Sequence, residues 1–144
     1  MKFIIRKAEE KDLPYILQLF EKKNDFPASL PGKEKKLIYS EMLKDTSRHI
    51  LVGEKNGVIT AFISMKIEAV FKNTLGLTAF ITDIRTDMCH AEILTAILSR
   101  ATAIAMENSC RSIILCDDFV NPESNSVYSI CNFKQSNTVY FKNL

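Results

Sequence analysis

The side chains of this sequence that could do chemistry crowd into one stretch, Ile81 to Phe133. Asp83 sits on a run that reads as a strand, where a carboxylate can take up a proton. Arg85 follows two residues later on the same face, and a structural ion pair between the two is an equally good reading. Cys89 and His90, with Asp87 close by, invite a metal or a thiol-imidazole reading. Consecutive residues rarely converge on one ion, however, and no second ligand pair stands at a supporting spacing, so no metal is expected and a histidine at a helix start is the better reading. Asn121 with Pro122 is how a helix opens, because Asn caps the first turn and Pro fits within it. Tyr128, seven residues further on, is either a phenol available for proton transfer or a core-rim aromatic with its hydroxyl satisfied. No one of these residues identifies a reaction; their order and joint spacing carry more.

The elements that must position them follow from periodicity. Phe3 to Arg6 reads as a short strand and Glu9 to Asp12 as a polar turn, with Asp12 expected to cap the helix after it. Leu13, Ile16, Leu17 and Phe20 recur at helical spacing. Asn24 to Gly32 is rich in turn formers and reads as a loop, and a weaker helix runs from Lys33 to Leu43. His49 to Glu54 is a strand that turns at Asn56-Gly57, whose residues suit the positive dihedrals of a tight hairpin. In the returning strand Ile59, Ala61, Ile63, Met65 and Ile67 alternate with polar residues, which predicts one core face and one mostly wet face, Phe62 excepted. Leu75 to Arg85 is a long strand, and Ala91 to Met106 an apolar helix stopped by Asn108-Ser109. Ile113 to Leu115 suits a parallel strand buried on both faces. A helix over Asn121 to Ile130 and a strand over Thr138 to Lys142 complete the order.

A chain of 144 residues with 47% hydrophobic content is the size of one domain, taken as residues 1–144, with a single sizeable core. Nineteen basic against 17 acidic residues leave a net charge of +2, without the concentrated basic stripe that nucleic acid requires. Cys89, Cys110, Cys116 and Cys131 show neither zinc-site spacing nor the density of a disulfide scaffold, which suits reduced thiols. The apolar run near Met1 is too short for a signal sequence, and none approaches a membrane span. The expectation is a cytoplasmic chain with no membrane partner.

On these residues the chain resembles the GNAT superfamily of acyl-CoA N-acyltransferases. The resemblance is carried by Ile5-Arg6-Lys7-Ala8 with Glu10, Asp12 and Leu13, by the Asn56-Gly57 hairpin, and by the strand ending in Ile84-Arg85-Thr86-Asp87. Most specific is Asn121 followed by Tyr128 and then Asn132-Phe133, where Asn132 takes the place of the family's glycine, being the next-best residue at a left-handed helix end. The resemblance implies an α/β (α+β) fold: a mixed, mostly antiparallel twisted sheet flanked by helices, with a parallel strand pair opening a V-shaped cofactor gap. It implies transfer of an acetyl group from acetyl-CoA to the amine of a small molecule. The backbone of Ile84, Arg85 and Thr86 is then expected to hold the thioester and pantetheine, and His90 and Ala91 at the helix start to face the pyrophosphate. Asn121 is expected to contact the pantetheine arm or the thiol region, Asp83 to serve as base or proton-wire member, and Tyr128 to protonate the leaving thiolate, for which a phenol pKa near ~10 is suited.

One part of the family pattern is absent. Glycines at the strand-to-helix junction normally let backbone amides approach the pyrophosphate at a helix N-terminus. Here the junction reads Met88-Cys89-His90-Ala91-Glu92, about two residues shorter than the family's. Glu92 repels a pyrophosphate, and Asp87 can occupy the same amides as a cap. A catalytically lapsed domain that binds a ligand or another protein, a second copy in a homodimer included, is therefore the alternative reading.

Overall fold

The computed structural model describes residues 3–21, 32–71, 75–87, 91–116, 122–135 and 142–144. Among these residues five strands form one sheet in the order β1-β2-β3-β4-β5: Phe3–Lys7, Arg48–Lys55, Val58–Val70, Gly76–Thr86 and Ser112–Leu115. The first three pairings are antiparallel, and β4 with β5 is parallel. Helices α1 (Leu13–Glu21) and α2 (Gly32–Lys44) cover one face; α3 (Ala91–Glu107) and α4 (Pro122–Ile130) cover the other. This is the expected mixed fold. The closing strand expected over Thr138 to Lys142 falls mainly on residues outside those described.

Each helical face fills its own core. Ile93, Leu94, Ile97, Leu98, Ala101, Ile104 and Ala105 of α3 are all buried against Leu51, Ala61, Ile63, Met65, Ala79, Ile81 and Ile84. On the opposite face Leu13, Ile16 and Leu19 of α1 and Tyr39 of α2 pack on Ile50, Val52, Ile59 and Phe62. The expectation of a wet second face on β3 is thereby corrected: Ile59 to Met65 are buried without interruption, because α1 lies over the strand's other side. The correction for β5 is the reverse. Ile113 and Leu115 pack on the α3 core, but Ile114 is 42% exposed, since α1 and α2 rest on β2, β3 and β4 and not on β5.

Two bulges shift the alternation. Gly53 pairs with Ala61 and Glu54 with Ile59, so Thr60 is the extra residue on β3, and Ile59 turns to the α1 core instead of sharing the face of Ala61. Ser64 pairs with Asp83 and Met65 with Ile81, which makes Thr82 the extra residue on β4. Turns and caps agree with the residues that form them. Asn56 (φ 54°) and Gly57 (φ 77°) make the β2–β3 hairpin. Ser109 (φ 61°) ends α3, with the Cys110 amide donating to Ala105 O at 2.9 Å.

Asp12 does not cap α1. Its carboxylate, 3% exposed, takes two hydrogen bonds from Arg6, at 2.7 and 2.8 Å, and one from the Glu9 amide at 2.7 Å. Arg6 also donates to Glu54 at 2.8 Å, so the network ties β1, β2 and the turn before α1 together. The Arg6 hydrogen bonds hold the Asp12 carboxyl below the usual carboxylate range, against the opposing effect of burial. Tyr39 Oη donates to Glu9 O at 2.7 Å, which adds α2 to the same corner.

Candidate functional site

The bulge on β4 directly follows its last described pairing to β5, where the Cys116 amide donates to Ile81 O at 2.8 Å. Strand β4 continues to Thr86 against β3, and among the described residues no β5 residue pairs with it beyond Ile81. Among the described residues, Thr82 to Thr86 therefore have β3 alone as a strand partner. The run contains four of the expected site residues: Asp83, Ile84, Arg85 and Thr86.

Because Thr82 is extra, these residues divide cleanly between the faces. Ile84 lies in the α3 core, and Thr86, opposite Ala61, shares that face. Thr82, Asp83 and Arg85 turn to the α1 face. Arg85 is 5% exposed; its guanidinium lies 4.7 Å from the centre of the Phe20 ring and donates to Ile84 O at 2.7 Å. No ion pair joins it to Asp83 among the described residues, so the two are not the structural couple that their spacing suggested. Asp83 Oδ2 instead accepts from Thr82 Oγ1 at 2.9 Å. The Thr82 oxygen in turn receives Arg48 Nη1 at 3.2 Å, and the same nitrogen donates to Ser64 Oγ at 2.7 Å. A polar row thus crosses β2, β3 and β4, from guanidinium to hydroxyl to carboxylate.

Tyr128 is on the other side of the sheet. It is 7% exposed and shares the α3 core with Ile81 and Ile84. The end of α4 holds it there. Asn132 adopts φ 68°, the Phe133 amide donates to Tyr128 O at 2.9 Å, and the Asn132 amide donates to Ser129 O at 3.0 Å. This double closure normally brings the residue after the cap against the helix's last turn. Here the Phe133 and Tyr128 rings meet edge to face, with centroids 6.3 Å apart. The Asn132 substitution for glycine is thus compatible with the same helix end.

Ala91 and Glu92, in the first turn of α3, are exposed. His90 and Asn121 lie outside the described residues, as do Met88 and Cys89. Among the described residues, no group of three or more His, Cys, Asp or Glu could hold a metal, and no helix is long and apolar enough to cross a membrane.

Arg48, Ser64, Thr82 and Phe20 did not emerge from sequence reasoning. For Thr82 a signal exists: apolar core positions fall at Ala79 and Ile81 and then at Ile84, a step of three where a regular strand steps by two. Arg48 has no such mark, because its partners come from two other strands.

No family model matches the sequence, and no curated protein is significantly similar to it. Solved structures do match. Glucosamine-6-phosphate N-acetyltransferase from Arabidopsis thaliana superposes with a TM-score of 0.82 at 21% identity, over 99% of this chain and 99% of that one. A transcriptional regulator from Bacillus halodurans C-125 gives 0.85 at 20% identity, over 99% and 100%. A predicted acetyltransferase from Clostridium acetobutylicum, solved with acetyl-CoA, gives 0.73 at 20% identity, over 99% and 96%. At these identities the likeness is one of fold, and in fold the chain resembles the GNAT acetyltransferases over nearly its whole length.

Proposed function

We propose that this protein is an acyl-CoA-dependent N-acyltransferase of the cytoplasm, moving an acetyl group from acetyl-CoA to the amine of a small molecule. One observation carries the reading. The β4 bulge, the last described β4–β5 pairing and the division of Asp83 and Tyr128 between opposite faces all fall at one point of the sheet, where the family resemblance implies a cofactor gap. A reactant that meets both groups would pass through such a gap. The fold likeness to acetyltransferases supports the same reading.

Acetyl-CoA supplies an acyl thioester, and the chain's residues do the rest. Backbone groups of Ile84, Arg85 and Thr86 orient the thioester along β4 and polarise its carbonyl. Asp83, on the α1 face, takes the proton from the incoming ammonium; the amine nitrogen bonds the acyl carbon as the carbon–sulfur bond breaks. Tyr128, on the α3 face, gives its phenolic proton to the departing thiolate. His90, Ala91 and Asn121 are assigned to the cofactor's pyrophosphate and pantetheine arm on the resemblance alone. Ala91 at the start of α3 bears no side chain that would obstruct a phosphate. Glu92 is the one residue of that turn whose charge opposes it. That carboxylate favours the second reading, a lapsed domain that keeps the fold without the cofactor.

Thermal unfolding with acetyl-CoA separates the two, since a ligand that binds only the folded state raises the unfolding temperature. An upward shift is expected, and none at millimolar ligand would remove the enzyme reading. Tyr128→Phe should then lower acyl transfer by roughly 100-fold while leaving CoA affinity in place. Equal turnover would take Tyr128 out of the acid role.

A further inference from the structure

The polar row beneath Asp83 contains a cation with no described acid at ion-pair distance. Arg6 has Asp12 and Glu54, and Arg100 lies 3.8 Å from Glu107. Arg48 has two hydroxyls, Ser64 at 2.7 Å and Thr82 at 3.2 Å, and among the described residues no carboxylate lies within ion-pair distance of it. Both bonds use Nη1, which leaves the donors on Nη2 and Nε available. Two neutral acceptors fix the direction of a guanidinium without neutralising it.

The neighbouring acids are engaged elsewhere. The residue directly across the β2–β3 ladder from Arg48 is Lys66, and like charges facing each other across an antiparallel pair oppose one another. The Lys66 ammonium is already engaged, by Asp45 at 3.0 Å and Glu68 at 4.0 Å. Asp45 is in turn committed to Ser47, through both its amide and its hydroxyl. Arg48 is half-buried, so water screens it less than it would a surface arginine.

We propose that Arg48 binds an acid group of the acceptor, so that the amine acylated here carries a carboxylate or a phosphoryl-type group a few bonds from its nitrogen. This deepens the acyl-transfer reading and rests on it. A single hydroxyl, that of Thr82, stands between Arg48 Nη1 and Asp83 Oδ2, in contacts of 3.2 and 2.9 Å. Cation and carboxylate are therefore spaced for the two ends of one small zwitterion, its ammonium at Asp83 and its acid at Arg48. A planar guanidinium with free donors suits a carboxylate or phosphate geometrically as well as by charge. A polycationic amine has nothing to offer Arg48.

The test compares CoA release with glycine, β-alanine and O-phosphoethanolamine against glycine methyl ester, β-alanine methyl ester and ethanolamine. The acid-bearing set should show kcat/KM at least roughly ten-fold higher, and Arg48→Met should raise their KM by a similar factor with little change in kcat, as for the loss of one charge-assisted hydrogen bond. Arg48→Lys should recover part of the loss. Equal or better use of the uncharged set, or an unchanged KM in Arg48→Met, overturns the proposal. Failure of acetyl-CoA to raise the unfolding temperature would instead refute acyl transfer. With or without turnover, the Arg48 Nε–Hε resonance, identified by its absence in Arg48→Met, reports the subsite directly. It should move on titration with O-phosphoethanolamine and stay still with ethanolamine; no movement with either overturns the anion subsite.

Discussion

Asn132 holds Tyr128 through backbone conformation, and the consequence can be measured. At φ 68° its backbone is in the left-handed region, which glycine enters without strain and asparagine tolerates through its short polar side chain. Alanine has a β-carbon and no compensating polar group, so Asn132→Ala should cost about 1 kcal/mol. Unfolding entropy of roughly 2.1 cal/mol/K per residue over 144 residues converts this into a fall of ~3 °C in unfolding temperature. Asn132→Gly should stay within about 1 °C of the native protein, because the strain it relieves offsets the chain freedom it adds. The local effect should exceed the global one. Loosening the cap frees Phe133 from its edge contact with the Tyr128 ring, so near-ultraviolet circular dichroism should weaken in Asn132→Ala and persist in Asn132→Gly. With 4 tyrosines and no tryptophan, that signal is not masked. The assay is thermal unfolding of the three proteins at one pH, with their dichroism below the transition. An alanine variant as stable as the native chain, or a glycine variant as damaged as alanine, would refute the argument.

Asp12→Asn should destabilise by about 3 kcal/mol, the lower end for breaking a buried pair, because Glu54 still faces Arg6. Its pH dependence has a definite sign. The folded carboxyl titrates below its unfolded value, so its contribution is complete above about pH 4 and is lost as pH falls through the lower folded value. Urea midpoints at pH 7 and pH 3 should therefore converge between native and Asp12→Asn, and a constant difference would remove Asp12 from the acid limb. At Gly53 an added β-carbon would lie 2.8 Å from Ile93 Cδ1 and 3.2 Å from Ala61 Cβ. Gly53→Ala should cost about 1 to 2 kcal/mol. Ile93→Val removes the nearer atom, so the double variant should be less destabilised than the two single losses together, and strict additivity would show that α3 does not press on Gly53.

Much of the fold was legible because its signals are local. The α3 stripe, the Asn56-Gly57 turn and the αL positions at Ser109 and Asn132 each depend on residues within a few places of one another. Errors arose where a second element decides. The buried polar face of β3 depends on α1 passing over it, and the half-exposed β5 on α1 and α2 not extending that far. Asp12 satisfies the pattern of a helix cap, yet an arginine from β1 claims its carboxylate. The candidate site was legible as a list and not as a geometry. Asp83 and Arg85, two apart on a strand, read as an ion pair until the face of each partner is known. Nothing near Arg48 in sequence points to Ser64 or Thr82, which reach it only through strand register.

One bulge accounts for much of what distinguishes the site. Were Thr82 an ordinary strand residue and not bulged, regular alternation from Ile81 would place Asp83 in the α3 core beside Tyr128, and Ile84 on the polar face. A carboxylate there would be desolvated among Ile93, Ile97 and Tyr128, at a cost that would keep it neutral and useless as a base. With Thr82 bulged, Asp83 turns to the α1 face, gains a hydroxyl donor and comes within one side chain of Arg48, while Ile84 completes the apolar wall. The bulge also lies immediately beyond the last described β5 pairing. Separation of a base from an acid by the thickness of the sheet thus depends on Thr82 being bulged. Deleting Thr82 would leave Asp83 one place and Ile84 two places beyond Ile81, on the faces they now hold, so it should remove the hydroxyl between Arg48 and Asp83 and cost less in acyl transfer than removing Asp83 itself.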